Sequence, residues 1–158
     1  MCIFEMLDGL AISYQKYDHA PVFTCDEANS LNLYIPGAKT KNLFLRDRKG
    51  ERHFLVVVSD EKQIDLKYLS EHLNVKRLSF ASAERLSKYL RTEPGSVSIL
   101  DVINDHQGLV ELIIDQDVWS SLALQCHPFV NTITLVINLK DIEKLLEHFG
   151  RTPKIIMV

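Results

Sequence analysis

Three polar segments carry the residues able to do chemistry. In GAKTKNLFLRD, residues 37–47, Lys39, Thr40, Lys41 and Asn42 stand directly before the apolar Leu43, Phe44 and Leu45. A lysine there either sits on a solvated strand end or faces a pocket, where a fixed charge can stabilise a developing oxyanion. In EPGSVSILDVIND, residues 93–105, the turn Gly95-Ser96-Val97 exposes backbone N–H groups, and Asn104 follows. In CHPFVNT, residues 126–132, His127 precedes a proline and Asn131 precedes a strand. Singly, each segment also has a structural reading: a solvated strand end, a loop histidine, an asparagine that satisfies backbone.

Other chemistries lack their residues. HExxH, GxSxG, Walker and GxGxxG patterns are absent from the sequence. Asp101 and Asp105 flank Asn104, but turns favour those residue types. The six histidines lie far apart and form no ligand set. Cys2, Cys25 and Cys126 are scattered without a CxxC pair, which argues against a disulfide framework or a structural zinc site. Each reads as a small buried hydrophobe before it reads as a nucleophile.

These segments need a scaffold, and the chain has the length for one domain, 1–158. Charged residues make up 25% and apolar residues 46%, the balance of a soluble globular protein. No apolar run is long enough to cross a bilayer, and MCIFEMLDGL lacks the basic start of a signal peptide. The expectation is a cytoplasmic protein without a membrane partner. A net charge of -3 gives no global field for nucleic acid, DNA included. Locally, Lys39, Lys41, Arg46, Arg48, Lys49, Arg52 and His53 crowd one hairpin against only Asp47 and Glu51. That is a solvated hairpin tip or a seat for a short stretch of RNA backbone.

The order of elements is mixed. A short helix is expected at 3–10 and a half-buried strand at 12–17. Thr24-Cys25-Asp26-Glu27 is a capping box that opens a helix over 25–31. Strands follow at 41–47 and 52–59, joined by Arg48-Lys49-Gly50-Glu51; HFLVVV reads as buried on both faces. Asp65 and Ser82 cap two helices around a short strand at 76–80. The pattern at 97–103 fits neither helix nor strand. Strands are expected at 110–114 and 132–137, a helix capped by Asn138 and ended by Gly150, and a last strand in IIMV. This is an α+β domain with a mixed, mostly antiparallel sheet and surrounding helices.

Taken together, the segments resemble the YbaK/ProX-type family of aminoacyl-tRNA editing domains, and within it the free-standing alanyl-tRNA(Pro) deacylases. The resemblance runs in order through HAPVFTCDEA, TKNLFLRDRKG, HFLVVVSDEKQIDLKYL, KRLSFASAERL, EPGSVSILDVIND and HPFVNT. It implies the editing-domain fold and a hydrolase that releases alanine from mischarged tRNA(Pro), with no metal or cofactor. It also implies that Lys41 and His127 are catalytic. Thr40, Asn42, Gly95, Ser96, Val97, Asn104, Phe129 and Asn131 would then bind substrate, with Phe44 and Ile103 as further pocket walls. Lys39, Arg46, Arg48 and Lys49 would meet the tRNA acceptor end. Prolyl-tRNA synthetase is the implied protein partner, because no anticodon-reading domain accompanies the site. Two departures bear on the pocket: Ile99 stands where relatives often have proline, and Phe129 where a smaller aliphatic residue is common. The alternatives are a deacylase for cysteinyl-tRNA(Pro) or another small mischarged amino acid, and a non-catalytic tRNA- or synthetase-binding module.

Overall fold

The computed structural model describes residues 2–21 and 34–158. The helix expected at 25–31, with Cys25, lies outside the described residues. The hairpin forms as its sequence requires. Strand β2 (Thr40–Arg46) pairs antiparallel with β3 (His53–Ser59), Thr40 opposite Ser59 and Arg46 opposite His53. Asp47 closes the turn by accepting from the N–H groups of Glu51 at 2.9 Å and Arg52 at 3.1 Å. Gly50 takes a φ of 71°, which a residue with a side chain resists.

β3 lies at the centre of a five-stranded sheet. Its order is β4 (Ser79–Phe80), β2, β3, β5 (Val110–Asp115), β8 (Lys154–Ile156). β5 runs parallel to both β3 and β8; the other two pairings are antiparallel. Residues 53–58 are all buried, as a run apolar on both faces must be. Each large aliphatic side chain there contributes about 1.5–3 kcal/mol relative to exposure.

One sheet was the expectation; the chain forms two. β1 (Tyr14–Asp18), β7 (Ile133–Asn138) and β6 (Ala123–Cys126) make a three-stranded antiparallel sheet in the order β1-β7-β6. Its Leu124, Cys126, Leu135 and Ile137 share a core with Phe44, Leu55 and Val57. On the other face of the larger sheet, Leu45, Phe54, Val56 and Val58 pack against Leu69 and Leu73 from helix α2 (Leu66–His72) and its end.

Local signals placed the helix starts. Asp65 accepts from Lys67 and Tyr68 N–H at 3.0 and 3.2 Å. Ser82 accepts from Arg85 N–H at 3.2 Å and opens α3 (Ala83–Leu90). Asn138 occupies the cap position of α5 (Leu139–His148) without a side-chain bond. At the amino end, α1 spans Ile3–Gly9. The ambiguous stretch is a 3-10 helix, Ile99–Asn104. Strand β6 and the single-turn helix α4 (Gln116–Trp119) were not expected from the sequence. The strand expected at 76–80 pairs only through Ser79 and Phe80, because the cap of α3 follows at Ser82. Among the described residues no helix is long and apolar enough to cross a membrane.

Candidate active site

The three polar segments meet, through bonds that are far apart in sequence. Ala38 N–H donates to the Ala123 carbonyl at 2.9 Å, and Gln125 N–H to the Ala38 carbonyl at 3.1 Å, in a parallel bridge between Ala38 and Leu124. The Gln125 side-chain amide reinforces it by donating to the Ile35 carbonyl at 2.8 Å. From that bridge the two chains run the same way, one into Thr40, Lys41 and Asn42, the other into Cys126 and His127. The glycine turn joins them: Ser98 Oγ accepts from His127 N–H at 3.1 Å and from Leu100 N–H at 3.3 Å. Ser98 was missed from the sequence, although Ser98-Ile99-Leu100-Asp101 forms a capping box. Gly95, at φ 90°, supplies the backbone freedom the turn needs.

His127 is half-buried, and its Nδ1 lies 3.3 Å from the Ile133 carbonyl. A carbonyl only accepts, so Nδ1 carries the proton and Nε2 keeps its lone pair. Burial holds this imidazole below its ordinary range; the Ile133 bond opposes the shift, and the neighbouring His19 adds to it. His19 is a second group the residue-by-residue reading passed over. It bonds the Ala20 carbonyl through Nδ1 and Thr134 Oγ1 through Nε2, both at 2.8 Å. Its place at the head of HAPVFTCDEA was the available signal.

Asp101 is fully buried, with one carboxylate oxygen accepting from Ser98 N–H at 2.8 Å and the other unpartnered among the described residues. Burial pushes its carboxyl well above the ordinary range, against the Ser98 bond. A carboxyl raised on folding weakens the fold as pH climbs past its unfolded value of about 3.9. Asp101→Asn is therefore expected to raise Tm, with a gain that grows from about pH 4 upward until Asp101 is ionised in the folded protein. Thermal unfolding across that range checks this; a pH-independent difference would contradict it.

The strand separates the two residues at its start. Lys41 faces Val58 in register with Leu43 and Leu45, on the α2 side; Asn42 faces Val57 in register with Phe44, on the side of β6 and the 3-10 helix. Asn42 Oδ1 is buried without a partner among the described residues, an acceptor held ready inside the fold. Thr40 opens the strand, half-buried, and Lys39, exposed, receives Asp60 N–H on its carbonyl at 3.1 Å. Phe129 adopts φ 67°, a strained conformation for a bulky residue, and packs partly buried against the core. Val97 packs on the same core, while Ser96 N–H closes the turn to the Glu93 carbonyl at 3.1 Å. Asn131 is half-buried.

Three expected pocket residues also have contacts within the scaffold. Asn104 spends its amide on the Leu90 carbonyl at 3.0 Å, holding the end of α3. Ile103 is buried in the core, and Phe44 is buried against the rings of His53 and Tyr89. Arg46, Arg48 and Lys49 lie at the far end of the hairpin, away from His127's segment. Cys126 is buried, and burial raises its thiol to about 12, which rules out a thiolate nucleophile near neutral pH. Cys126→Ala is expected to keep its catalytic rate within about twofold of the parent, measured as kcat on the enzyme's ester substrate.

The bridge between Ala38 and Leu124 and the Ser98–His127 bond thus bring the start of β2, the glycine turn and the end of β6 together. The chain belongs to the aminoacyl-tRNA editing domain family, matched over residues 19–145, and is an aminoacyl-tRNA deacylase by class. It is similar to the Prolyl-tRNA editing protein ProX of Acetoanaerobium sticklandii, 38% identical across 98% of this chain and 94% of that protein. It is also similar to Prolyl-tRNA synthetase associated domain-containing protein 1 of Danio rerio, 32% identical across 96% of this chain and 83% of that one. Solved structures share the fold. The hypothetical protein APE2540 superposes with a TM-score of 0.73 at 17% identity, covering 98% of this chain and 97% of its own. A candidate trans-editing enzyme for prolyl tRNA synthetase gives 0.67 at 16% identity, covering 99% and 94%.

Proposed function

We propose that this protein deacylates alanyl-tRNA(Pro) in trans, releasing alanine and free tRNA. Family membership and the similarity to the ProX editing protein support the reading. The observation that carries it is the bonded convergence of the Lys41–Asn42 segment, the Gly95–Ser98 turn and His127. A synthetase pocket built for proline rejects the smaller alanine weakly, since a missing methylene is worth only about 1–3 kcal/mol. A second site that admits alanine and excludes the proline ring restores accuracy.

An aminoacyl ester is already reactive, so hydrolysis needs a placed water and donors for the developing oxyanion. Lys41, on its long stem at the open start of β2, supplies a cationic donor. Backbone N–H groups of the Gly95 turn supply neutral ones. Asn42 Oδ1 accepts an N–H or O–H of the substrate, which ends its unpartnered state. His127 Nε2 accepts from the terminal ribose and orients it. Val97 and Phe129 bound the amino-acid side chain, and Lys39 guides the RNA end.

The test is a panel of alanyl-, cysteinyl- and prolyl-tRNA(Pro) incubated with purified protein. Alanine release alone is the expected result. Preferential cysteine release would reassign the substrate, and tight tRNA binding without turnover would make the protein a binding module.

A further inference from the structure

Away from this site, two arginines meet at the far end of the hairpin, while Arg52 there is paired with Glu111 at 2.8 Å. Arg46 and Arg85 converge on Gly50: a Cβ there would meet Nη2 of each at 2.8 Å, so the two nitrogens lie within twice that distance of each other. Their hydrogen bonds go to neutral groups. Arg46 donates to the carbonyls of Asp47 at 3.2 Å and Arg48 at 3.3 Å. Arg85 donates to the Gly50 carbonyl at 3.2 Å and to His53 Nε2 at 3.0 Å. Of the two carboxylates next to them in sequence, Asp47 is turned to backbone N–H groups, and Glu84, beside Arg85, is exposed at the surface. Among the described residues neither arginine has an ion-pair partner. Beside them opens a crevice of about 190 Å³ lined by Ser82, Glu84, Arg85 and Lys88. The buried His53 registers the local field. Burial first, then Arg85, Arg46 and Lys88, hold it neutral against the opposing pull of Asp47.

Two guanidinium groups this close repel unless an anion joins them, and their planar forks suit phosphate oxygens. We infer that Arg46, Arg85 and Lys88 hold a backbone phosphate of the bound RNA, a step that rests on the tRNA reading above. Arg46 lies on the same strand face as Asn42, four residues away, which is about 14 Å. At about 3.4 Å per stacked nucleotide, the phosphate is about four nucleotides from the esterified end. The crevice thus grips the strand where it leaves the site. It adds Arg85 and Lys88, from α3, to an RNA surface that the sequence placed on the hairpin alone.

The experiment measures binding of an uncharged tRNA acceptor hairpin by fluorescence anisotropy at several salt concentrations. Arg85→Ala would strand His53 and the Gly50 carbonyl, so the variants are Lys88→Glu, which is exposed, and Arg46→Gln. Lys144→Glu, at an exposed position of α5, controls for net charge. Each crevice variant is expected to weaken binding about fivefold and to flatten the slope of log Kd against log salt by about 1, with Lys144→Glu close to the parent. Equal binding by parent and crevice variants, or an equal loss in Lys144→Glu, would overturn the inference. So would displacement of the hairpin by submillimolar inorganic phosphate, which would make this a free-anion site. Because the RNA is uncharged, the result is independent of turnover. A failed deacylase reading would appear instead as a parent that binds RNA and releases no amino acid.

Discussion

Lys41→Ala is expected to lower kcat/KM for alanyl-tRNA(Pro) by about 10²–10³-fold, the loss typical of removing one oxyanion donor. The fold should survive, because Lys41 is half-buried and its side chain makes no hydrogen bond or ion pair within the described protein. The strand register gives this prediction a comparator. Lys41 and Asn42 leave β2 on opposite faces, so losing one does not remove the other's role. Asn42→Leu keeps the volume and removes a buried, unpartnered oxygen. It is expected to raise Tm while lowering activity, a trade between stability and function. Single-turnover deacylation with thermal unfolding on both variants separates the cases. Full activity in Lys41→Ala would remove it from the chemistry and leave the β6 side, with Asn42 and His127, as the working face.

What the sequence made legible was local. Asp65 and Ser82 announce helices because a cap and the N–H donors it accepts from lie within three residues. The Arg48-Lys49-Gly50-Glu51 turn and the HFLVVV run read directly as hairpin and central strand. The opposite facing of Lys41 and Asn42 was also present, since period 2 keeps Lys41 in phase with Leu43 and Leu45. The assembly of the site was not legible from local pattern, because its bonds join residues far apart. Ser98 and His127 are 29 residues apart, and Gln125 reaches back 90 to Ile35. Strand β6 is four residues long and has no punctuation of its own. In the 3-10 helix all of Ile99, Leu100, Asp101, Val102 and Ile103 are buried, so no periodic face marks it. Asn104, read from the sequence as a pocket residue, also ties the end of α3, because turn chemistry and site chemistry use the same side chains. Phe129 takes a backbone conformation that its residue type disfavours, so propensity pointed the other way.

His127→Ala is expected to reduce kcat about 10²-fold, the lower end of what a positioned acid, base or orienting group supplies. The backbone N–H that binds Ser98 Oγ stays, so the loop keeps its tie and the loss belongs to the imidazole. The pH profile tests the role more sharply than the rate. Burial, with His19 nearby, holds His127 below its ordinary range, so Nε2 stays unprotonated through neutral pH. Deacylation, corrected for spontaneous ester hydrolysis, should therefore be sustained down through about pH 6.5 and fall only below it. Stability follows the same group. An unfolded histidine protonates near pH 6.5 while the folded one does not, so unfolding free energy declines as pH drops through that value and levels off below the folded pKa. His53, also held low, adds to the same decline, which is why activity and stability must be measured separately. In His127→Ala the acid limb of activity should vanish while the His53 share of the stability loss remains. His19→Asn should move the limb toward the ordinary histidine value, because it removes the charge that helps depress His127. An acid limb unchanged in His127→Ala would assign the titration to another group and reduce His127 to a loop residue.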